Sequence, residues 1–102
     1  MPKSAEALIQ QQQNHLQISG AINFDNVVAL ARNGMRLLAS MSEAHIDLTG
    51  VTYGNSAAIA LMLTWLRFCR KRGITMVYTH IPAQLIAIAR LCDVMNLLPV
   101  GE

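Results

Sequence analysis

The sequence predicts an α/β domain built on a mixed β-sheet of about four to five strands covered by helices. Its length of 102 residues suits one domain with a core of its own. Runs of strand type and helix type alternate from residue 25 onward, which favours parallel pairing through right-handed crossovers. Two strand-like runs open the chain and add an antiparallel edge. We expect residues 1–6 to be a flexible terminus and 7–102 to form the domain.

The first two runs are interpreted as a hairpin. Residues 7–13 are ambiguous because glutamine tolerates a helix, but their short length favours a strand. Residues 15–24 alternate in hydrophobicity, and Gly20 interrupts the alternation, which predicts a bulge or bend. The side chains expected to face inward from this second strand are Leu16, Ile18, Ile22 and Phe24.

A first helix is predicted from a cap at Asp25 or Asn26 to about Ser40. Arg32 lies on its polar side. Gly34 inside the helix costs about 1 kcal/mol relative to alanine, which indicates close packing against a neighbour.

Two further strand and helix pairs follow. The strands are residues 45–51 and 74–79, the second of which is rich in β-branched and aromatic residues. The helix after the first of them covers residues 56–72, and Gly73 is suited to end it in a left-handed conformation. The last helix begins with Pro82 in its first position. Its expected buried stripe consists of Leu85, Ile86, Ile88, Ala89 and Cys92.

The turn Tyr53-Gly54-Asn55-Ser56 is the strongest candidate for a functional site. It joins a strand and a helix that both look buried, so its polar residues are held rigidly at the surface. Ser56 stands at the helix start, where two interpretations remain open. Its side chain is an ordinary cap, or it and the amides of residues 55–58 bind an anion, carboxylate or phosphoryl group.

No catalytic or metal-binding set is evident. The histidines His15, His45 and His80 lie at expected strand ends without a carboxylate or cysteine at a telling spacing. No glycine loop for phosphate is present. Cys69 and Cys92 are expected to be reduced in a cytoplasmic protein. The sequence therefore predicts neither an enzyme nor a cofactor or metal site.

Charge and hydrophobicity indicate the kind of partner. A formal net charge of +2 is too small to argue for nucleic acid. Four of the eight cations lie within residues 67–72, where they complement the end of a helix or, less favoured, face an acidic lipid or acidic partner. The apolar run 57–63 is too short for a membrane span of about 20 residues. With 53% hydrophobic and 14% charged residues, part of the surface is expected to be covered by a partner.

The stretch from Asp47 to Leu63 resembles the signature of the STAS domain family. In that signature, a strand with an acid and a small hydroxyl residue leads through valine to an Asp-Ser or Asp-Thr pair, a glycine and an apolar helix. The matching residues here are Asp47, Thr49, Val51 and Ser56. The chain departs from the pattern at Asn55, where the family has the acid, and at Ala58, where it has the glycine.

The resemblance implies a non-catalytic accessory or regulatory subunit of a Gram-negative phospholipid ABC transporter that maintains outer-membrane lipid asymmetry. Such a subunit would bind the cytoplasmic ATPase and, through it, the permease and lipid-binding subunits, peripheral to the inner membrane. The alternative is a phospho-switch of the anti-sigma factor antagonist type with Ser56 as phosphoacceptor, which the neutral Asn55 disfavours. The expected contact residues are Tyr53, Gly54, Asn55, Ser56, Ala57 and Arg32.

Overall fold

The structure is a computed structural model that describes residues 7–101. The expected flexible terminus, residues 1–6, lies outside the described residues, as does Glu102. Within the described part, one sheet has the strand order β1-β2-β3-β4. The strands are β1 (Leu8–Gln12), β2 (His15–Ile22), β3 (Glu43–Gly54) and β4 (Thr75–Thr79). Only β1 and β2 pair antiparallel, whereas β2–β3 and β3–β4 are parallel. The predicted mixed sheet with an antiparallel edge is confirmed.

Three α-helices pack on one face of this sheet. They are α1 (Val27–Leu38), α2 (Ser56–Arg72) and α3 (Ala83–Leu91), followed by a 3₁₀ turn at Met95–Leu97. One cluster of buried side chains joins the helices to the inward side chains of the strands. No helix in residues 7–101 is long and apolar enough to cross a membrane. The other face carries alternate strand residues that are exposed, among them His15, Gln17, Glu43 and Thr75.

Helix α2 lies at the centre of the helical layer. Trp65 is fully buried, and its Nε1 donates a hydrogen bond to the carbonyl of Ala31 in α1 at 3.1 Å. On the sheet side, the buried Tyr78 hydroxyl donates to the carbonyl of Met62 at 2.6 Å. Gly73 ends the helix with φ 71°, in the left-handed conformation predicted for it. These contacts fix α2 against a neighbouring helix and against the sheet.

The bulge predicted at Gly20 is confirmed. Gly20 has φ 90°, and the pairing of β2 with β3 shifts register on both sides of it. The prediction that Phe24 faces inward is wrong, because β2 ends at Ile22 and Phe24 lies in the turn before α1, 68% exposed. Asparagine side chains there form a turn, in which the Asn23 Oδ1 atom accepts from the amides of Asp25 and Asn26.

Two predictions about α3 need correction. Cys92 was expected in the buried stripe but is exposed, because it lies just beyond the last helical residue, Leu91. Pro82 is the N-cap and not the first helical residue. Leu85 and Ala89 are buried as predicted and face the sheet.

Candidate partner-docking site

The expected turn between β3 and α2 is a single residue. Tyr53 and Gly54 are the last residues of β3, Asn55 is the connection, and Ser56 is the first residue of α2. Gly54 is needed for this close approach, because a Cβ atom there would lie 2.7 Å from Leu85 Cδ2. The strand therefore ends directly against the helices, and the site is held by rigid elements.

Asn55, and not Ser56, caps α2. Its backbone is extended, and its Oδ1 atom accepts a hydrogen bond from the amide of Ala57 at 2.8 Å. Its carbonyl accepts from the amide of Ala58 at 2.9 Å. The interpretation of Ser56 as the capping residue is wrong, because the chain turns one residue earlier. Two of the amides that could have bound an anion are thus already engaged.

Of the remaining site residues, two are exposed at the surface and two are buried beneath them. Tyr53 is 48% exposed, and Ser56 is exposed at the start of the helix. Gly54 and Ala57 are buried, so they position their neighbours and present no side chain to a partner. The accessible chemistry consists of one phenol and one aliphatic hydroxyl.

Arg32 does not lie beside Ser56. It is an exposed residue of α1, directly after Ala31, whose carbonyl is bonded to Trp65. Trp65 is nine residues beyond Ser56, which corresponds to about 14 Å along the helix axis. The Arg32 backbone is therefore level with the middle of α2.

Two apolar side chains that the sequence analysis did not assign to the site lie at the same end of the sheet. Phe24 is 68% and Val28 60% exposed. Strands β2 and β3 end side by side, since Ala21 pairs with Tyr53. Phe24 lies in the turn that follows β2, and Val28 is the second residue of α1, which starts after that turn. Together with Tyr53 and Ser56 they form what we call the docking edge. In the sequence, the polar residues Asn23, Asp25 and Asn26 around Phe24 could have indicated that β2 ends before it.

Val28 and Arg32 are four residues apart and so share one face of α1. This face extends the docking edge from its apolar residues towards a cation. A partner that covers Tyr53 and Val28 can thus also reach the Arg32 guanidinium.

The acid and hydroxyl of the signature, Asp47 and Thr49, lie elsewhere. The Asp47 carboxylate accepts from the Thr49 hydroxyl at 2.6 Å and contacts His80 Nδ1 at 3.1 Å. Partial burial raises the pKa of Asp47, but the hydrogen bonds from Thr49 and His80 outweigh it and place the pKa below the ordinary 3.8. Asp47 is seven residues before Gly54, about 23 Å along an extended strand. Asp47 and Thr49 are therefore not part of the site at Ser56.

A half-covered mixed sheet, with a helix that starts directly after a long central strand and presents a hydroxyl there, defines the class of STAS-type α/β domains. The family model described as "Mlab, STAS domain" matches residues 7–99. The chain belongs to this family, as the resemblance implied.

Solved structures show the same fold. A chain of the Acinetobacter MlaFEDB complex in its ATP-bound Vtrans1 conformation is 23% identical, with a TM-score of 0.77 over 92% of this chain and 100% of that one. An anti-sigma factor antagonist from Mycobacterium paratuberculosis is 16% identical, with a TM-score of 0.73 over 98% and 87%. Unphosphorylated SpoIIAA, another anti-sigma factor antagonist, is 7% identical, with a TM-score of 0.72 over 95% and 89%. No curated protein sequence matches the chain.

Proposed function

We propose that this protein is a non-catalytic accessory subunit of a Gram-negative phospholipid ABC transporter of the Mla type. It takes the place of MlaB and supports the cytoplasmic ATPase subunit, MlaF, by binding it. Two observations support this: the family model that matches residues 7–99, and a similar chain within the MlaFEDB complex that is covered over its whole length.

The observation that carries the proposal is the composition of the docking edge. Tyr53, Phe24 and Val28 are large and exposed, and Ser56 adds a hydroxyl without a charge. Interface centres are enriched in aromatic residues and depleted in charged ones. Tyr53, Val28 and Ser56 belong to a strand or a helix, so little backbone entropy is lost when they bind. The docking edge is therefore suited to a stable protein partner.

The roles of the other transporter subunits and the location of this protein follow from its proposed role as the accessory subunit. ATP hydrolysis belongs to the ATPase, and the permease and lipid-binding subunits are reached only through it. The protein is then cytoplasmic and peripheral to the inner membrane. Among residues 7–101, no group of three or more His, Cys, Asp or Glu side chains could hold a metal ion.

The alternative is a phospho-switch, favoured by the similarity to two anti-sigma factor antagonists and by the exposed hydroxyl of Ser56. A phosphate there would add roughly two negative charges. The neutral Asn55 weighs against this alternative, because the family has an acid in its place and the amide oxygen is occupied as a cap. Intact mass spectrometry of protein from cells in several growth states distinguishes the two functions. A phosphate on Ser56 that weakens partner binding would favour the switch.

The direct test is Ser56→Arg, measured by co-purification and by titration against the ATPase subunit. A bulky cation in the centre of the contact must be desolvated without a partner charge, so we expect binding to weaken at least tenfold, or by about 1.4 kcal/mol.

Ser42→Arg is the matched control, because Ser42 is exposed just before β3, at the opposite edge of the sheet. It should bind normally. If Ser56→Arg bound the ATPase as tightly as Ser42→Arg and supported its activity, the proposed contact would be wrong.

A further inference from the structure

The end of the molecule opposite the docking edge collects positive charge. Each helix follows a strand and returns across the sheet, so the three helix C-termini lie at this end. Cations complement the negative pole of a helix. The last turn of α2 alone carries three cations, however, and one helix pole does not account for so many. The basic residues in the last turns are Arg36, Arg70, Lys71, Arg72 and Arg90.

An apolar groove of about 200 Å³ opens beside this cluster. Its wall contains the buried Leu66 and the half-exposed Leu97 of the 3₁₀ turn. This volume is below the roughly 300–1,000 Å³ of small-molecule sites, and it suits one large apolar side chain. The residues that line the groove are Leu63, Leu66, Arg67, Arg70 and Leu97.

The two arginines of the groove have no acidic partner within residues 7–101. The only ion pair found there joins His80 and Asp47, on the open face of the sheet. Arg72 differs from the groove arginines, since its guanidinium lies over the ring of Phe68 at 5.0 Å. Arg67 and Arg70 therefore present their charge at the rim of an apolar groove.

We propose that this groove is a second docking site, which takes an acidic segment of a protein partner and inserts one leucine-sized side chain between Arg67 and Leu97. Acidic residues of the segment would contact Arg67 and Arg70 at the rim, while its apolar side chain would contact Leu66 inside the groove. A recessed floor fits an inserted side chain, whereas a flat bilayer would contact the projecting Leu91, which is 91% exposed. The site is distinct from the docking edge and does not depend on the proposed function.

The test begins with selection of a phage-displayed library of random 12-residue peptides on the whole protein. We expect the selected peptides to share a leucine, isoleucine, methionine or phenylalanine flanked by aspartate or glutamate. One such peptide is then synthesised, and its affinity is measured by fluorescence anisotropy at about 0.15 M salt, where distant charges are screened beyond about 8 Å.

The matched variants are Arg67→Glu/Arg70→Glu in the groove and Lys71→Glu/Arg72→Glu outside it, which change the net charge equally. We expect at least tenfold weaker binding for the groove pair and less than threefold for the control pair. All four positions are exposed, so both variants should keep the circular dichroism spectrum of the wild type.

Three outcomes would overturn the proposal: no selected consensus, a consensus without acidic residues, or equal weakening by both pairs. Phosphatidylglycerol vesicles provide the competing measurement. If these vesicles sedimented the wild type but not Leu91→Ser, and no peptide were selected, the basic end would be a membrane contact and the groove would not be a peptide site.

Discussion

Asn55 determines where α2 begins. Its extended backbone and its hydrogen bond to the Ala57 amide place Ser56 at the first helical position, with its hydroxyl exposed. An amide supplies the cap bond without bringing a negative charge to the positive pole of the helix. This part of the docking edge therefore remains uncharged.

Two substitutions of Asn55 distinguish the effect of its cap hydrogen bond from the effect of a negative charge at this position. We expect Asn55→Ala to lower the free energy of unfolding by about 1 kcal/mol, because the Ala57 amide loses its acceptor. Asn55→Asp keeps an acceptor and adds a charge next to the positive pole, so it should be at least as stable as the wild type at pH 7. Urea denaturation at constant m-value measures both. If Asn55→Asp were destabilised as much as Asn55→Ala, the cap bond would not be the stabilising contact.

The sequence predicted the first residue of α2 correctly, but it offered Ser56 and not Asn55 as the capping residue. Both residue types favour the cap position, and the choice depends on where the backbone turns. That turn is set by packing of Gly54 against Leu85, a residue 31 positions further along the chain. The local sequence around residue 55 does not indicate this long-range contact.

At the level of elements, α1 and α2 pack closely at Gly34. A Cβ atom at Gly34 would overlap the indole ring of Trp65, so the absent side chain is what allows the helices to approach. The sequence predicted close packing at Gly34, and the structure confirms it and identifies Trp65 as the neighbour.

This contact reverses the usual effect of alanine in a helix. Alanine is normally more stable than glycine by about 1 kcal/mol in a helix interior. We expect Gly34→Ala instead to destabilise the protein by about 1–3 kcal/mol, because the core must accommodate an overpacked methyl group. Chemical denaturation measures the change. Asn33→Ala on the exposed side of α1 serves as control and should be neutral or stabilising. A gain in stability for Gly34→Ala would contradict the packing described.

Helices and strands were predictable in kind, and the misplaced residues lie where they end. Phe24 and Cys92 each continue a local hydrophobic pattern, but each follows an element that has already ended. A pattern does not record where the backbone turns away from the core. The consequence is largest for Phe24, which the pattern placed in the core and which is one of the most exposed side chains of the docking edge.

At the scale of the whole molecule, the parallel pairing of β2 with β3 and of β3 with β4 followed from the alternation of strands and helices. The sequence did not show that the helices cover only one face of the sheet. The polar residues His45, Asp47 and Thr49, which alternate with buried residues along β3, were the signal for an open face. Parallel strands are more often covered on both faces, so this sheet differs from most parallel sheets.

The two cysteines allow opening of the whole domain to be measured. Cys69 is fully buried, and burial raises the pKa of its thiol, whereas Cys92 is exposed. We expect Cys92 to react with iodoacetamide at pH 8 at least about 100-fold faster than Cys69, which must wait for an opening of the core. Mass spectrometry of timed samples measures the two rates, and Cys92→Ser should remove only the fast one. Equal rates would show that the core around Cys69 opens readily.

The difference in charge between the two ends of the molecule also affects how it approaches other molecules. The last turns of α1, α2 and α3 all carry cations, whereas none of these helices has an acidic residue in its first turn. The described chain therefore has a permanent electric dipole along the helices. In the field of an acidic assembly the protein would rotate before contact, with its basic end leading and Ser56 trailing, and added salt would randomise this orientation.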